Sequence, residues 1–586
     1  MVDEHNSIES ILVADCGTVA TKLLLLERVE SSYRFVAQAE ALTTINPPWE
    51  DVTVGILNAI ENLEQITGRT LYASGHVITP REGLQGVDAF VVILSAPEPL
   101  RLIIAGLVRE MSLESARRAA AATYASVEGM LYREGSLHSP EEAWARAVRN
   151  IAPDVVFLVG GVDGGASRPV MELADAIALG TSMLLEERRP LILYAGNAQL
   201  RSRITKLLGG ITEVEVVDNV RPSVDTEHLG PAEEVLEQYF IEKRLMSTPG
   251  VDTVISWSGL PVQPTATAFG RVVEYLWHRE NNPNRGVLGV DLGAASTTVA
   301  AYFEGRLYLS IFGEQGIAFG PIPWLEKHGL KPLLRWLPED VEPERVLSLL
   351  YNRQLRPSTI PQEVPDLWVE QAVVREMLRA ALRSARPTWD VGKAESSTFD
   401  LMPHFDPIII SGGGTVHMPR PGHALLTVLD GVEPVGISTV LLDVNRAAPA
   451  LGAVASIKPL AAASALESGI LASLGTVISP MGTGRLGDPV LRMKITYEDE
   501  MELNVEAHYG DLEIWPLLPG QRATLEIQPS RRFDIGLGGP GRGGKVQAIG
   551  GLVGLVVDAR GRPLGLPAGV EQRQKLLQRW IWDVGG

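Results

Sequence analysis

Twice in this chain a run of apolar residues ends in Asp-x-Gly, crosses a few small and hydroxyl-bearing residues, and resumes as a second apolar run. Residues 11–27 read ILVADCGTVATKLLLLE, and residues 287–303 read VLGVDLGAASTTVAAYF. Each predicts two buried strands joined by a tight hairpin. A third apolar run, IIISGGGTVHM at 408–418, is a buried strand that ends in consecutive glycines. After the first hairpin the pattern predicts a strand at 33–41, a helix over 52–66 with Gly68 just past its end, and a buried strand at 87–94. Residues 99–111 mix strand and helix signals, and the Ala-rich stretch 112–132 predicts a helix. Residues 151–245 then alternate strand and helix three times, which predicts a small parallel sheet. Beyond the second hairpin come a strand and Gly-rich turn at 305–320, a long helix over 367–385 and an apolar helix over 447–473. From about 488 the period changes to two, in LRMKITYED, MELNVEAHYG, ATLEIQPSRRFDIGLG and AIGGLVGLVVDARGRPL. That predicts a compact β domain of the small-barrel kind, closed by a final helix.

These elements predict an α/β protein of four parts. They are a first lobe over 1–150, an inserted parallel α/β unit over 151–250, a second lobe over 251–487 and a β-rich domain over 488–586. A length of 586 residues suits about three to five domains. Hydrophobic residues make up 45% and charged residues 21%, enough apolar surface for sizeable cores. The net charge of −19 argues against nucleic acid and anionic membranes as partners. The most apolar long stretch, 447–482, holds Lys458 and Glu467 and is rich in Ala and Gly, which suits packed helices rather than a membrane span. The opening MVDEHNSIES has no signal-peptide character, and the single cysteine permits no internal disulfide, so a cytoplasmic location is expected.

The two hairpins carry candidate chemistry. Gly17 and Gly293 let a ligand approach the backbone, and successive loop N–H groups can converge on an anion. Asp15 and Asp291 would repel a phosphate, so they make chemical sense with a hard cation such as Mg²⁺ between. The glycines 412, 413 and 414 clear side chains from one surface, where a flat ring or ribose could lie. Together these features predict a nucleotide held between two related lobes.

At these residues the chain resembles the actin, sugar kinase and Hsp70 superfamily of ATPases. The resemblance implies two actin/Hsp70-like lobes that bind ATP and Mg²⁺. Its first phosphate loop would be Asp15, Gly17, Thr18, Thr21 and Lys22. The second would be Asp291, Gly293, Ser296, Thr297 and Thr298. The adenosine loop would be Gly412, Gly413, Gly414 and Thr415, after Ser411. It implies that Asp15 and Asp291 are catalytic and hold Mg²⁺ and the attacking water through hydration shells. A closer resemblance, carried by TTINPPWEDVTVGI (43–56), GVDAFVVILSA (86–96), FLVGGVDGG (157–165) and PGRGGKVQAIGG (540–551), is to the MutL/GlmL family. That family is distinct from the mismatch-repair protein of the same name. It implies an accessory, reactivating ATPase whose partner is an adenosylcobalamin-dependent mutase or its B12-binding subunit. The chain departs from the family at Cys16, where a large apolar residue is usual. A small-molecule kinase on the same fold and a nucleotide-locked scaffold are the rival readings; a kinase needs a further carboxylate base, for which no clear motif appears.

Two further glycine motifs have plain readings beside the functional ones. GGVDGG at 160–165 is a strand-to-helix junction that could seat an anion or serve as a tight turn. GGPGRGGK at 538–545 has P-loop spacing but is followed by Val546 where a hydroxyl belongs, and it predicts no following helix. Cys16 reads as packing rather than as a redox sensor.

Overall fold

The computed structural model describes residues 8–95, 98–132, 140–280, 282–389 and 401–585. The acidic opening residues 1–7 lie outside them. The chain divides into two compact units, one of 1–96, 249–309 and 314–586, the other of 97–248 with 310–313.

In the first unit, both hairpins form as the pattern predicts and each founds a sheet. Ser10–Cys16, Ala20–Val29 and Ser32–Leu42 make an antiparallel meander, and Ala89–Leu94 lies parallel to Ser10–Cys16 on its other side, followed by Gln263–Pro264. The second sheet repeats that order. Arg306–Phe312, Thr297–Phe303 and Gly286–Leu292 lie side by side, and Phe405–Ser411 and Gly436–Leu442 extend the sheet parallel to Gly286–Leu292. The two sheets therefore carry one topology twice, the actin/Hsp70-like pair of lobes. In each, the strand that ends in Asp-x-Gly is central, so its carboxyl end opens at the middle of a sheet edge, where α/β sheets present ligand-binding loops.

Two helices lie between these sheets. Thr265–Glu280 leads from the first sheet into the second, and Ala448–Ala455 follows the strand Gly436–Leu442. Small residues let them cross closely: a Cβ on Gly452 would stand 1.7 Å from Ala268 O. Phe269, Val273, Leu451 and Val454, all fully buried or nearly so, join Ile11, Val91, Val287 and Ile409 from both sheets in one core. Burying each such side chain is worth about 1.5–3 kcal/mol. The helix Val52–Thr67 covers the first sheet through Val52, Ile56, Ala59, Ile60 and Leu63. The Asp51 carboxylate accepts from Thr53 N at 2.8 Å at its start, and Gly68, with φ of 68°, ends it as expected.

The stretch 447–473, expected as one helix, is two, Ala448–Ala455 and Pro459–Glu467, because Pro459 cannot continue the first. The C-terminal residues also divide differently from the pattern. Glu502–His508, Pro489–Tyr497, Arg522–Pro529 and Gly544–Ile549 form an open, antiparallel sheet rather than a barrel; the outer two strands do not pair. Gly554–Asp558 and Leu512–Trp515 instead extend the second lobe's sheet beyond Ala472–Ser479. Gly544–Ile549 being a strand, the 538–545 motif lacks the helix that a P-loop needs.

A buried ionic network ties this extension down. The Asp558 carboxylate accepts from Arg560 Nε at 2.8 Å and Arg562 at 2.6 Å, and Arg560 also meets Asp430 at 2.7 Å, as does Arg375. Arg560 lies 4.7 Å from the centre of the Trp580 ring, on the last helix, Val570–Asp583. With so many guanidinium partners, Asp558 is held well below the usual carboxylate range despite its burial.

The second unit is a parallel sheet in the order Val214–Val216, Leu191–Tyr194, Val155–Leu158, Leu100–Ala105, Ala125–Leu131. It takes in two strands from before 151. Within 112–132 only Glu114–Ala121 is α-helical, and the rest ends in the edge strand Ala125–Leu131. The 160–165 loop is held by its own unit. Buried Asn197 accepts from Gly164 N at 3.2 Å, and Asn219 donates to Gly161 O and to Asp163 Oδ1 at 3.0 Å each. Gly160, Gly161 and Gly164 have φ of 123°, 71° and 76°, which makes glycine the economical choice for this turn.

Candidate functional site

The two Asp-x-Gly loops are built alike. Gly17 N donates to Ala20 O at 3.0 Å, and Gly293 N donates to Ser296 O at 2.9 Å, so each hairpin closes on the same three-residue step. A Cβ would stand 3.1 Å from Ala20 O at Gly17 and 2.9 Å from Ser296 O at Gly293, which keeps both positions tight and bare. Thr18 and Ser296 sit half-buried in these turns.

Strand register assembles the charges. Asp15 lies opposite Lys22, and Lys22 opposite Glu40, so the three side chains share one face of the first sheet. Lys22 Nζ is 2.6 Å from Asp15 Oδ2, and Thr265 Oγ1 approaches Asp15 Oδ1 at 3.4 Å from the start of the crossing helix. In the second sheet Asp291 lies beside Ser411. Ser411 Oγ donates to Asp443 Oδ2 at 2.9 Å. Asp443, fully buried, also accepts from Ala447 N at 2.8 Å and Ala448 N at 2.9 Å, capping the second crossing helix.

The electrostatics bind the lobes into one site. Burial pushes the Asp291 carboxyl up to about 6; Lys22 pulls against that, while Asp15 and Asp443 add to it. Burial likewise holds Asp443 above its ordinary value, against the pull of the Ala448 and Ala447 N–H groups and Ser411. Burial works against the Lys22 ammonium, but Asp15, with help from Asp291, leaves its pKa raised. Three carboxyl groups lie within electrostatic reach of Lys22, two of them with their pKa raised by burial, and a divalent cation would favour their charged forms. Among the described residues no three His, Cys, Asp or Glu side chains converge as a metal cage. A cation here would instead share its coordination among water, a ligand's phosphates, Asp15 and Asp291.

Some predicted residues turn inward. Thr21 is fully buried and pairs with Thr43 Oγ1 at 3.0 Å; Thr43 in turn donates to Gly17 O at 2.8 Å, bracing the first loop from behind. Thr297 is fully buried and donates to Gln315 O at 2.6 Å. Thr298, 6% exposed, lies opposite Asp291. Gly412, with φ of 102°, packs on the neighbouring strand so tightly that a Cβ would meet Leu292 O at 2.1 Å. Gly414 rests on Ile317 and Val374, and the Thr415 hydroxyl donates to Gly412 O at 3.0 Å. Gly413 is the half-buried glycine of the three, with the His417 ring nearest to it. Burial and then Arg446 lower the His417 pKa, which favours a neutral ring. Cys16 is buried, and that burial pushes its thiol up and keeps it protonated.

The residues not foreseen are Glu40, Thr265, Asp443 and Arg446. Asp443 had a signal: STVLLD at 438–443 is a third apolar strand ending in Asp. The others reach the cleft only through register and helix crossing.

Several solved structures share low sequence identity with this chain. A nucleotide-free acetone carboxylase is 12% identical, with 86% of this chain and 82% of that one covered and a TM-score of 0.33. A glycerol dehydratase reactivase is 12% identical, covering 76% and 99%, with a TM-score of 0.28. Xylulose kinase from Bifidobacterium adolescentis is 11% identical, covering 80% and 96%, with a TM-score of 0.27. Protein MutL of Clostridium tetanomorphum is 24% identical over 451 residues, 71% of this chain and 88% of that protein. A family model described as MutL protein matches residues 11–470. With the match spanning both Asp-x-Gly hairpins and the glycine loop, the chain belongs to the MutL protein family.

Proposed function

We propose that this protein binds ATP with Mg²⁺ between its two lobes, hydrolyses it slowly, and acts as a reactivating accessory of an adenosylcobalamin-dependent mutase or its B12-binding subunit. The observation that carries the nucleotide reading is the pair of Asp-x-Gly hairpins of one design, the first with Lys22 2.6 Å from Asp15 and the second with Asp291 beside Ser411 at the head of the glycine loop. Lys22 and the N–H groups of the two loops would hold phosphates. Asp15 and Asp291 would hold Mg²⁺ through its water shell, and the ion would neutralise charge on the phosphates. Asp291, its carboxyl pushed up to about 6 by burial, is suited to accept a proton from an attacking water. Membership of the MutL protein family supports the choice of partner. It must bind one nucleotide state more tightly than the other, or ATP can change nothing in it. The parallel α/β unit and the C-terminal β sheet, neither of which supplies a residue to the cleft described above, are the surfaces proposed to meet it.

The kinase reading gains nothing from Asp443, the third acid near the cleft, because both its oxygens are committed to Ser411, Ala447 and Ala448. Among the described residues no helix is long and apolar enough to cross a membrane.

The test inactivates the mutase with damaged cofactor and adds this protein with ATP, with a non-hydrolysable analogue, or with neither. Recovery with ATP alone is expected. Equal recovery in all three, with or without the protein, would sink the reactivating role. Binding of ATP without turnover would leave the scaffold reading.

A further inference from the structure

Beside the cleft the two lobes are joined by an ion pair between Glu40 of the first sheet and Arg446 of the second lobe. Glu40 closes the cross-strand row that begins at Asp15 and Lys22. Arg446 sits in the turn between the strand Gly436–Leu442 and the helix Ala448–Ala455. Its backbone is left-handed, with φ of 50°, a conformation that non-glycine residues hold only where surroundings enforce it. The enforcement is visible: Arg446 N donates to Asp443 O at 2.9 Å, and the Asp443 carboxylate fixes the next two N–H groups. The turn is thus set to send this side chain toward the first lobe.

The pair is lopsided. The Glu40 side chain is 51% exposed and Arg446 only 16%, so Glu40 can return to water cheaply while the guanidinium stays within the site. The Arg446 charge is felt at Lys22 on one side and at His417 on the other. It is therefore within electrostatic reach of both the first hairpin and the glycine loop. Lys22 is already paired with Asp15, whereas Arg446 is held by a partner that solvent can replace. A polyphosphate offers a guanidinium several oxygens in bidentate geometry, against the two of one carboxylate.

Resting on the nucleotide reading above, we propose that Glu40 and Arg446 form a latch between the lobes, and that the phosphates of a bound nucleoside polyphosphate take Arg446 from Glu40. Filling the cleft then exchanges a lobe-to-lobe tie for a lobe-to-ligand tie. That gives nucleotide state a structural consequence at the lobe junction, which the partner can sense.

The experiment titrates ATP and adenosine into the parent, Glu40→Gln, Arg446→Met and the double variant by calorimetry. Glu40→Gln should bind ATP about fivefold more tightly, the factor expected for losing an exposed ion pair, with adenosine unchanged. Arg446→Met should bind ATP more weakly, and in that background Glu40→Gln should have no effect. An equal gain in both backgrounds would mean that Glu40 merely repels phosphate, and would overturn the latch. Spin labels on cysteines placed at exposed Ile66 and Leu355 read lobe separation without nucleotide, since native Cys16 is buried. Glu40→Gln should broaden that separation, and the swap of Glu40→Arg with Arg446→Glu should restore it while leaving ATP binding weak. Unchanged distances in Glu40→Gln overturn the latch even if the parent binds no nucleotide, a result that would separately refute the nucleotide reading.

Discussion

Replacing Gly452 with alanine tests whether the two crossing helices set the junction of the lobes. The added Cβ would lie 1.7 Å from Ala268 O and 2.5 Å from Ala268 C. Ordinary contact begins at about 3.4 Å, so the helices must separate by roughly 1.7 Å at the crossing. The opposing atoms are backbone in a helix, so no rotamer change can relieve them. Overpacking a core costs about 1–3 kcal/mol, and a backbone clash belongs at the upper end. At about 2–4 °C per kcal/mol for a large domain, the apparent melting temperature should fall by roughly 6–12 °C. Gly569→Ala is the control, because its Cβ meets nothing within 4 Å, and it should move stability by less than about 0.5 kcal/mol. Differential scanning fluorimetry of the three proteins, with and without ATP, reads both effects. If Gly452→Ala melts with the parent, the helices do not cross as closely as described, and the account of their packing between the sheets fails.

Asp15→Asn and Asp291→Asn should fold normally yet release phosphate from ATP roughly a hundredfold more slowly; parental rates would make those carboxylates structural. Asp430→Asn should cost about 3–5 kcal/mol in urea titrations, since it leaves Arg375 and Arg560 buried with too little negative charge. Glu227, in the second unit, is half-buried; Arg118, Ser115 and Arg221 outweigh that burial and depress its pKa. Its stabilisation is therefore present above the ordinary glutamate pKa and lost as pH falls through the lowered value. Hydrogen exchange at residues 217–229 should accelerate in that acid window, and Glu227→Gln should show fast exchange already at neutral pH; identical exchange in both proteins at pH 7 would count against the clamp.

The hairpins were legible because each opens with a strand buried on both faces that ends in the same Asp-x-Gly punctuation and resumes as a second apolar run. The helix 52–66 was legible for a similar reason, with its apolar face, its Asp51 cap and its Gly68 stop all local. The strand Ala125–Leu131 was not. It is an edge strand, mostly half-exposed, so it lacks the apolar run that marks its buried neighbour Leu100–Ala105, and the alanines before it extend a helical signal past the true end. Gly554–Asp558 is the opposite case. It is fully buried and reads as a strand, but nothing in its own residues says that it pairs with Ala472–Ser479 rather than with the strands just before it. Sheet membership is a long-range choice, decided here partly by the arginines that close around Asp558.

The same distinction separates what could be foreseen in the site from what could not. Asp15 and Lys22 lie within one hairpin, so spacing alone places them on one face. Glu40 enters the row through a second hairpin, Thr265 through a helix 250 residues on, and Arg446 across the cleft from Glu40, 406 residues away. A short-range motif can announce that a charge is present, but it cannot show what compensates it. That compensation decides the chemistry: burial first, with Asp15 and Asp443 adding to it and Lys22 pulling against it, pushes the Asp291 carboxyl up to about 6. A carboxylate poised in this way can be emptied or filled by a ligand's own charge. The step from a loop motif to the proposed nucleotide cleft therefore rests on the residues that the loops do not contain.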